Sequence, residues 1–147
     1  MGRGVIADRA VLLDTCTLLD LCIDPTRVGA GVLDDLADPA LTVLVSAATA
    51  WEISIKTRRG KLVGGERLLA AWPGTLRGLQ AEPLGIDHED AVRAGSLPWE
   101  HPDPFDRMLV GQAVRRNLPL VTRDEVILAA GVVRTIDSRG RQRARRR

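Results

Sequence analysis

Short unbroken apolar runs alternate along this chain with longer stretches in which apolar residues return every three or four positions. The short runs predict strands at Ala10–Asp14, Leu41–Val45, Pro83–Ile86, Leu118–Val121 and Val132–Ile136. The longer stretches predict helices at Thr15–Ile23, Val28–Leu36, Ala47–Arg59, His88–Gly95 and Pro104–Arg116, with a brief one at Asp124–Ala130. Gly65–Leu79 reads as helical but broken at Pro73-Gly74. The punctuation agrees with this division. Pro25 bars continuation of the first helix, Asp38-Pro39 closes the second, and Gly60 stops the third. Strands separated by helices pair in parallel through right-handed crossovers. The expected fold class is therefore α/β, with a central, mostly parallel sheet of four or five strands.

Composition narrows the picture. At 147 residues and 45% hydrophobic, the chain is long enough for one domain with a real core, and it is not compositionally disordered. No apolar run reaches the length of a membrane span. The first residues lack the apolar stretch of a signal peptide, so the expected location is cytoplasmic. Cys16 and Cys22 fall near one predicted helix and point different ways, so they are expected to be reduced and mostly buried. Charge divides the chain unevenly. Six of its 21 Lys and Arg are arginines after Asp137, where no acid follows; the remaining 15 face 19 Asp and Glu, a net −4. The expected organisation is a domain over 1–137 and a basic, disordered tail over 138–147. Such a tail adds salt-sensitive attraction to a polyanion.

The chemistry lies in the acids. Asp14 closes the first strand, Glu52 sits inside the third helix, Asp106 opens the Pro104–Arg116 helix, and Asp124 follows the Leu118–Val121 strand. Ligands of open α/β sheets bind in the crevice at the carboxyl ends of the strands, where these positions converge. Each acid alone has a local explanation. Asp14 can cap a helix, Glu52 pairs i,i+4 with Lys56, and Asp103-Pro104 is a helix start that puts Asp106 in the first turn. Thr122 and Glu125 make a capping box around Asp124. Stability does not require that Asp14, Asp106 and Asp124 share one edge of the sheet. Carboxylates so gathered need a cation, and all-oxygen donors suit Mg²⁺ or Mn²⁺. His101 precedes this helix start and reads as a loop residue. Trp51 shares a face with Ala47 and Ile55 and reads as core. No phosphate-binding glycine loop is present.

At these residues the sequence resembles the PIN-domain ribonucleases, and within them the VapC toxins of toxin–antitoxin pairs. Leu12-Leu13-Asp14-Thr15, the block Val45 to Lys56 containing Trp51-Glu52-Ile53, Asp103-Pro104-Phe105-Asp106-Arg107, and Leu120-Val121-Thr122-Arg123-Asp124 appear in the family's order. The resemblance implies a PIN-like three-layer α/β/α fold and a metal-dependent endoribonuclease that uses metal-activated water. Asp14, Asp106 and Asp124 would hold Mg²⁺ or Mn²⁺, with Asp103 either a further ligand or only a cap. Glu52 would hold a second ion or orient the attacking water. Thr15 and Thr122 would hydrogen-bond water of the ion. An RNA substrate, such as tRNA or a structured loop, a VapB-like antitoxin and a homodimer are implied as partners, with no membrane. The antitoxin would lay an amphipathic segment between the helices Thr15–Ile23, Val28–Leu36 and Ala47–Arg59. With few aromatics, RNA recognition is expected to rest on backbone and shape more than stacking.

Two other readings compete. Phosphatases and phosphotransfer domains also place Mg²⁺-binding aspartates at strand ends, but the phosphatases need a second aspartate two residues on, where this chain has Cys16. A non-catalytic module of the same fold would not need all four acids.

Overall fold

The computed structural model describes residues 4–142. Five strands form one parallel sheet: β1 (Ala10–Leu13), β2 (Thr42–Ser46), β3 (Ala81–Leu84), β4 (Leu120–Thr122) and β5 (Thr135–Asp137). Their spatial order is β3-β2-β1-β4-β5, so the sheet grows outward both ways from β1. Eight α-helices connect them: α1 (Thr15–Ile23), α2 (Ala30–Ala37), α3 (Ala47–Arg58), α4 (Gly65–Ala70), α5 (Trp72–Gly78), α6 (His88–Ser96), α7 (Pro104–Arg115) and α8 (Glu125–Ala130). No helix among the described residues is long and apolar enough to cross a membrane.

The two faces of the sheet follow from the two-residue period of strands. Val11 and Leu13 of β1 join Val43, Val45 and Val121 in one core with Leu18, Val32, Leu36 and Leu76 of the helices. Leu12 and Leu120 point the other way, onto Leu109, Val110 and Ala113 of α7 and Ile127 of α8. Helices thus cover both faces, as a parallel sheet requires.

Several expected boundaries moved. The strand expected at Pro83–Ile86 is Ala81–Leu84, because the chain turns at Gln80 in a left-handed conformation and enters the sheet immediately. Pro83 is tolerated there because β3 is an edge strand. The last two strands begin two and three residues later than expected. Val132 and Val133 pack on the core without joining the ladder. The break in Gly65–Leu79 falls at Ala71, and Pro73 sits in the first turn of α5, where its missing N–H costs nothing.

The start of the basic segment belongs to the body. Ser138 is buried and its carbonyl accepts from Gly29 N at 2.8 Å. Arg139 and Arg141 pair with Glu125 and Asp137. The expected disordered tail therefore does not begin at 138; its remainder, 143–147, lies outside the described residues.

Helix α7 carries much of the local chemistry, and its seat is fixed from two sides. Gly111 lies so close to α6 that a Cβ there would fall 2.9 Å from the Ala94 backbone. Buried Asp90 of α6 accepts from Gln112 and Arg115 of α7 and from Arg116 just after it. Burial would raise its pKa, but the two guanidiniums outweigh this and hold the carboxyl well below its usual range. Gln112 also accepts from Ser46 Oγ at 2.6 Å, tying α7 to the end of β2.

Candidate active site

β1 and β4 are neighbours, with Leu13 opposite Val121, so their carboxyl ends deliver Asp14 and Thr122 side by side. Asp14 accepts from Thr122 Oγ1 at 2.6 Å, from Thr15 N at 2.8 Å and from Cys16 Sγ at 3.2 Å. It is 4% exposed. Burial pushes its pKa up against the pull of those hydrogen bonds, and the charge of Glu52 adds to the rise. The Cys16 thiol is pushed up to about 12 by burial and by the Asp14 charge beside it, so it stays protonated as a donor.

Asp124 caps α8 by accepting from Val126 N, and its own N–H donates to Thr122 Oγ1. Thr122 thus holds two acids in place, donating to one and accepting from the backbone of the other. Asp103 caps α7, accepting from Phe105 N at 2.8 Å and Asp106 N at 3.2 Å. Asp106 follows in the first turn. The starts of α1, α7 and α8 all face the crevice, and their partial positive charge offsets some of the repulsion between the acids. Capping carries a measurable share of stability. Asp103→Ala should lower unfolding free energy by about 1 kcal/mol in a denaturant titration. Loss of a divalent-metal-dependent rise in melting temperature in that variant would make Asp103 a ligand as well as a cap.

Glu52 reaches the same crevice from the middle of α3 and is 7% exposed. Its Oε2 accepts from Lys56 Nζ at 2.8 Å, while its Oε1 is buried with no hydrogen-bond partner. An orphaned carboxylate oxygen in this place is costly unless something cationic meets it.

All five expected acids, Asp14, Glu52, Asp103, Asp106 and Asp124, line one cleft of about 300 Å³ with Thr15, Cys16, Leu19, Lys56 and Arg123. Asp106 shows the consequence. Its pKa rises to about 6, through burial first and then the charges of Asp103, Asp14 and Asp124, against the pull of a hydrogen bond from His101.

Three further residues take part in the site: two were given other roles from sequence and Arg123 was given none. Lys56 makes the expected pair with Glu52, but its ammonium lies in the cleft and not on an outer face. Burial alone would lower its pKa; Glu52, Asp103 and Asp106 more than offset that and raise it. His101 is not a free loop residue: its Nε2 lies 2.6 Å from Asp106 Oδ2, and its ring stacks on Trp99 at 4.6 Å. Arg107 fixes that loop, donating to the carbonyls of Ala94, Leu97, Trp99 and His101. Arg123 lines the cleft while bonded to Asp20 at 2.6 Å. The i,i+4 spacing of Glu52 and Lys56 pointed to one of them, and the place of His101 just before Pro102-Asp103 put it near the site from sequence; Arg123 had no signal beyond its place beside Asp124. Trp51, expected in the core, is 59% exposed and packs edge to face with Phe105, because its neighbour Glu52 takes the inward face of α3.

As the side chains stand, Lys56 and His101 occupy two of the acids, and among the described residues no three His, Cys, Asp or Glu side chains are drawn together around one point. The donor set itself fits a hard divalent cation. It is all oxygen, with the protonation of two members raised and one buried oxygen unpartnered.

Comparison with known proteins gives the same picture. The PIN domain family model matches residues 11–132. Ribonuclease VapC16 of Mycobacterium tuberculosis is 39% identical over 59 residues, which span 39% of this chain and 42% of that protein. The crystal structure of VapBC2 from Rickettsia felis, bound to a promoter DNA fragment, contains a chain that superposes with a TM-score of 0.66 at 16% identity, covering 86% of this chain and 97% of the other. A chain of FitAcB from Neisseria gonorrhoeae superposes with a TM-score of 0.59 at 22% identity, covering 87% and 97%. At these identities the structures speak for the fold alone.

Proposed function

This chain belongs to the PIN-domain family, and on that footing we propose that it is a metal-dependent endoribonuclease acting as the toxin of a toxin–antitoxin pair in the cytoplasm. The observation that carries this reading is the cleft itself: acids from four separate segments line it, and one of them, Glu52, keeps a buried carboxylate oxygen without a hydrogen-bond partner. Asp14, Asp106 and Asp124 would hold Mg²⁺ or Mn²⁺, with Glu52 beside them. Such an ion supplies positive charge against the scissile phosphate and makes water acidic enough to attack at neutral pH.

The chain's own residues do the rest. Thr122 and Thr15 N–H fix Asp14 in one orientation. His101 orients the Asp106 carboxylate, and Arg107 holds the loop that carries His101. Glu52 would hold a second ion or orient the attacking water, and its unpartnered Oε1 supports that role. Lys56 and Arg123 give the cleft two cations with which to meet a phosphodiester, which an acidic site otherwise repels. The phosphatase reading finds no support here, since Cys16 donates to Asp14 where that chemistry needs a second acid.

The test is cleavage of single-stranded RNA by purified protein in EDTA and after return of Mg²⁺ or Mn²⁺. Cleavage only with metal is expected; no cleavage with either metal overturns the reading. Lys56 gives a separate check. Lys56→Met leaves Glu52 without its counter-charge, so the metal-free protein should lose about 1–3 kcal/mol. Added Mg²⁺ should restore most of that loss in thermal denaturation. An equal loss with and without Mg²⁺ would show that Lys56 and the ion do not share the cleft's charge.

An antitoxin segment has a groove to occupy. An apolar cleft of about 290 Å³ is lined by Leu21, Pro25, Leu33, Leu36, Leu79 and their neighbours. Its walls are α1, α2 and the end of α5. The third wall expected from sequence, α3, does not line it. Co-expression with a small partner protein should give a complex that no longer cuts RNA.

A further inference from the structure

The exposed side of α3 has a role that the acids do not explain. Trp51 immediately precedes Glu52, and Phe105 immediately precedes Asp106. The two rings meet edge to face, with centroids 5.0 Å apart and planes at 76°. They bridge α3 and the first turn of α7, the elements that deliver Glu52, Asp103 and Asp106 to the cleft. Phe105 holds the indole from one edge, and the indole is left 59% exposed. A large ring left bare beside the cleft offers a flat face on which another flat group can stack.

The surroundings favour a nucleic-acid base over another protein. Two helical turns after Trp51, on the same stripe of α3, comes Arg58, exposed and followed by exposed Arg59 and Lys61. Among the described residues none of these three pairs with an acid side chain, while Lys56 reaches into the cleft from the same helix. Around the ring the surface holds exposed Ala47 and Ser54, not the continuous apolar area of a protein interface. One aromatic platform beside a row of unpaired cations is how single strands are gripped without reading their sequence.

We infer that the Trp51–Phe105 pair is a stacking platform for one unpaired base of the RNA next to the scissile phosphate, with Arg58, Arg59 and Lys61 following the backbone away from the cleft. This rests on the ribonuclease reading and adds a base contact to a recognition otherwise expected from backbone and shape.

The test is fluorescence anisotropy with a labelled, unpaired RNA of about ten residues in an Asp106→Asn background, which leaves the RNA uncut. A single abasic position is walked along the RNA. At one position its loss should weaken binding by about fivefold to 150-fold. That effect should vanish in Trp51→Ala and largely return in Trp51→Phe. Trp51→Ala alone should keep the Mg²⁺-dependent rise in melting temperature. The inference is overturned if every abasic position costs the same with and without Trp51, or if the Mg²⁺ response is lost. It is also overturned if Trp51→Ala splits a dimer while RNA affinity is unchanged, which would make the ring a contact between copies. Cleavage by the unmodified protein, measured alongside, separates the two claims. Cleavage without a Trp51 effect sinks the platform alone; no cleavage sinks both.

Discussion

Asp106→Asn should reduce RNA cleavage by on the order of 10²–10³-fold or more while leaving the protein folded. The amide keeps the shape and still meets His101, but it removes a charge that the cation needs. Asp14→Asn should do the same: the amide oxygen can still accept from Thr15 N, and the amide NH₂ then faces Thr122 Oγ1, which can turn to accept. The metal-free variants should be more stable than the parent at pH 7.5. Burial and the neighbouring acids raise the pKa of both groups in the folded protein, so ionising either one opposes folding. Denaturant titration in EDTA reads that gain, and an RNA cleavage time course reads the loss. A fully active Asp106→Asn would remove this acid from the site.

Metal should stabilise the protein strongly above pH 6 and weakly at pH 5. The sign follows from Asp106, whose folded pKa is about 6 against an ordinary 3.8. The folded state binds that proton more tightly than the unfolded chain. Stability of the metal-free protein is therefore present in full at low pH and declines as pH rises from about 4 to about 6, with Asp14 acting in the same direction. A cation needs the ionised acids and must displace those protons, so its apparent affinity rises over the same window. At pH 7.5 and a metal concentration about 100 times Kd, binding adds about 2.7 kcal/mol, or roughly 5–10 °C in melting temperature. Scanning calorimetry with EDTA or Mg²⁺ at the two pH values measures it. An equal rise at pH 5 and 7.5 would place the ion away from Asp14 and Asp106.

Much of this was legible in the sequence because strands and helices here follow their periods. Val11, Leu12 and Leu13 dictate a strand buried on both faces, and Asp14 after them dictates a carboxylate at its end. Helix starts at Thr15 and Pro104 were readable from their caps, Asp14 and Asp103, which are acids of the site; the last helix was read with Thr122 as its cap, where Asp124 is. What was hidden depends on packing between segments distant in the chain. Nothing local says that Thr122 will donate to Asp14, 108 positions away. His101 becomes a partner of Asp106 only because Arg107 gathers the loop's carbonyls. Trp51 and Glu52 compete for the inward face of α3, and the periodicity alone favoured the tryptophan. The cleft resolves that competition in favour of the acid, which sends the ring outward. The starts of β4 and β5 were misplaced because apolar residues that pack beside a ladder, such as Leu118, Val132 and Val133, look like residues within it, and β3 was misplaced because the turn at Gln80 brings the chain into the sheet earlier.

The most direct measurement is anomalous diffraction from crystals soaked in Mn²⁺ at pH 7.5. Peaks are expected inside the cleft, bounded by Asp14, Asp106 and Asp124, with Lys56 turned away from Glu52. Mn²⁺ bound elsewhere on the molecule, with the cleft acids still held by Lys56 and His101 alone, would contradict the assignment of this cleft as the catalytic metal site.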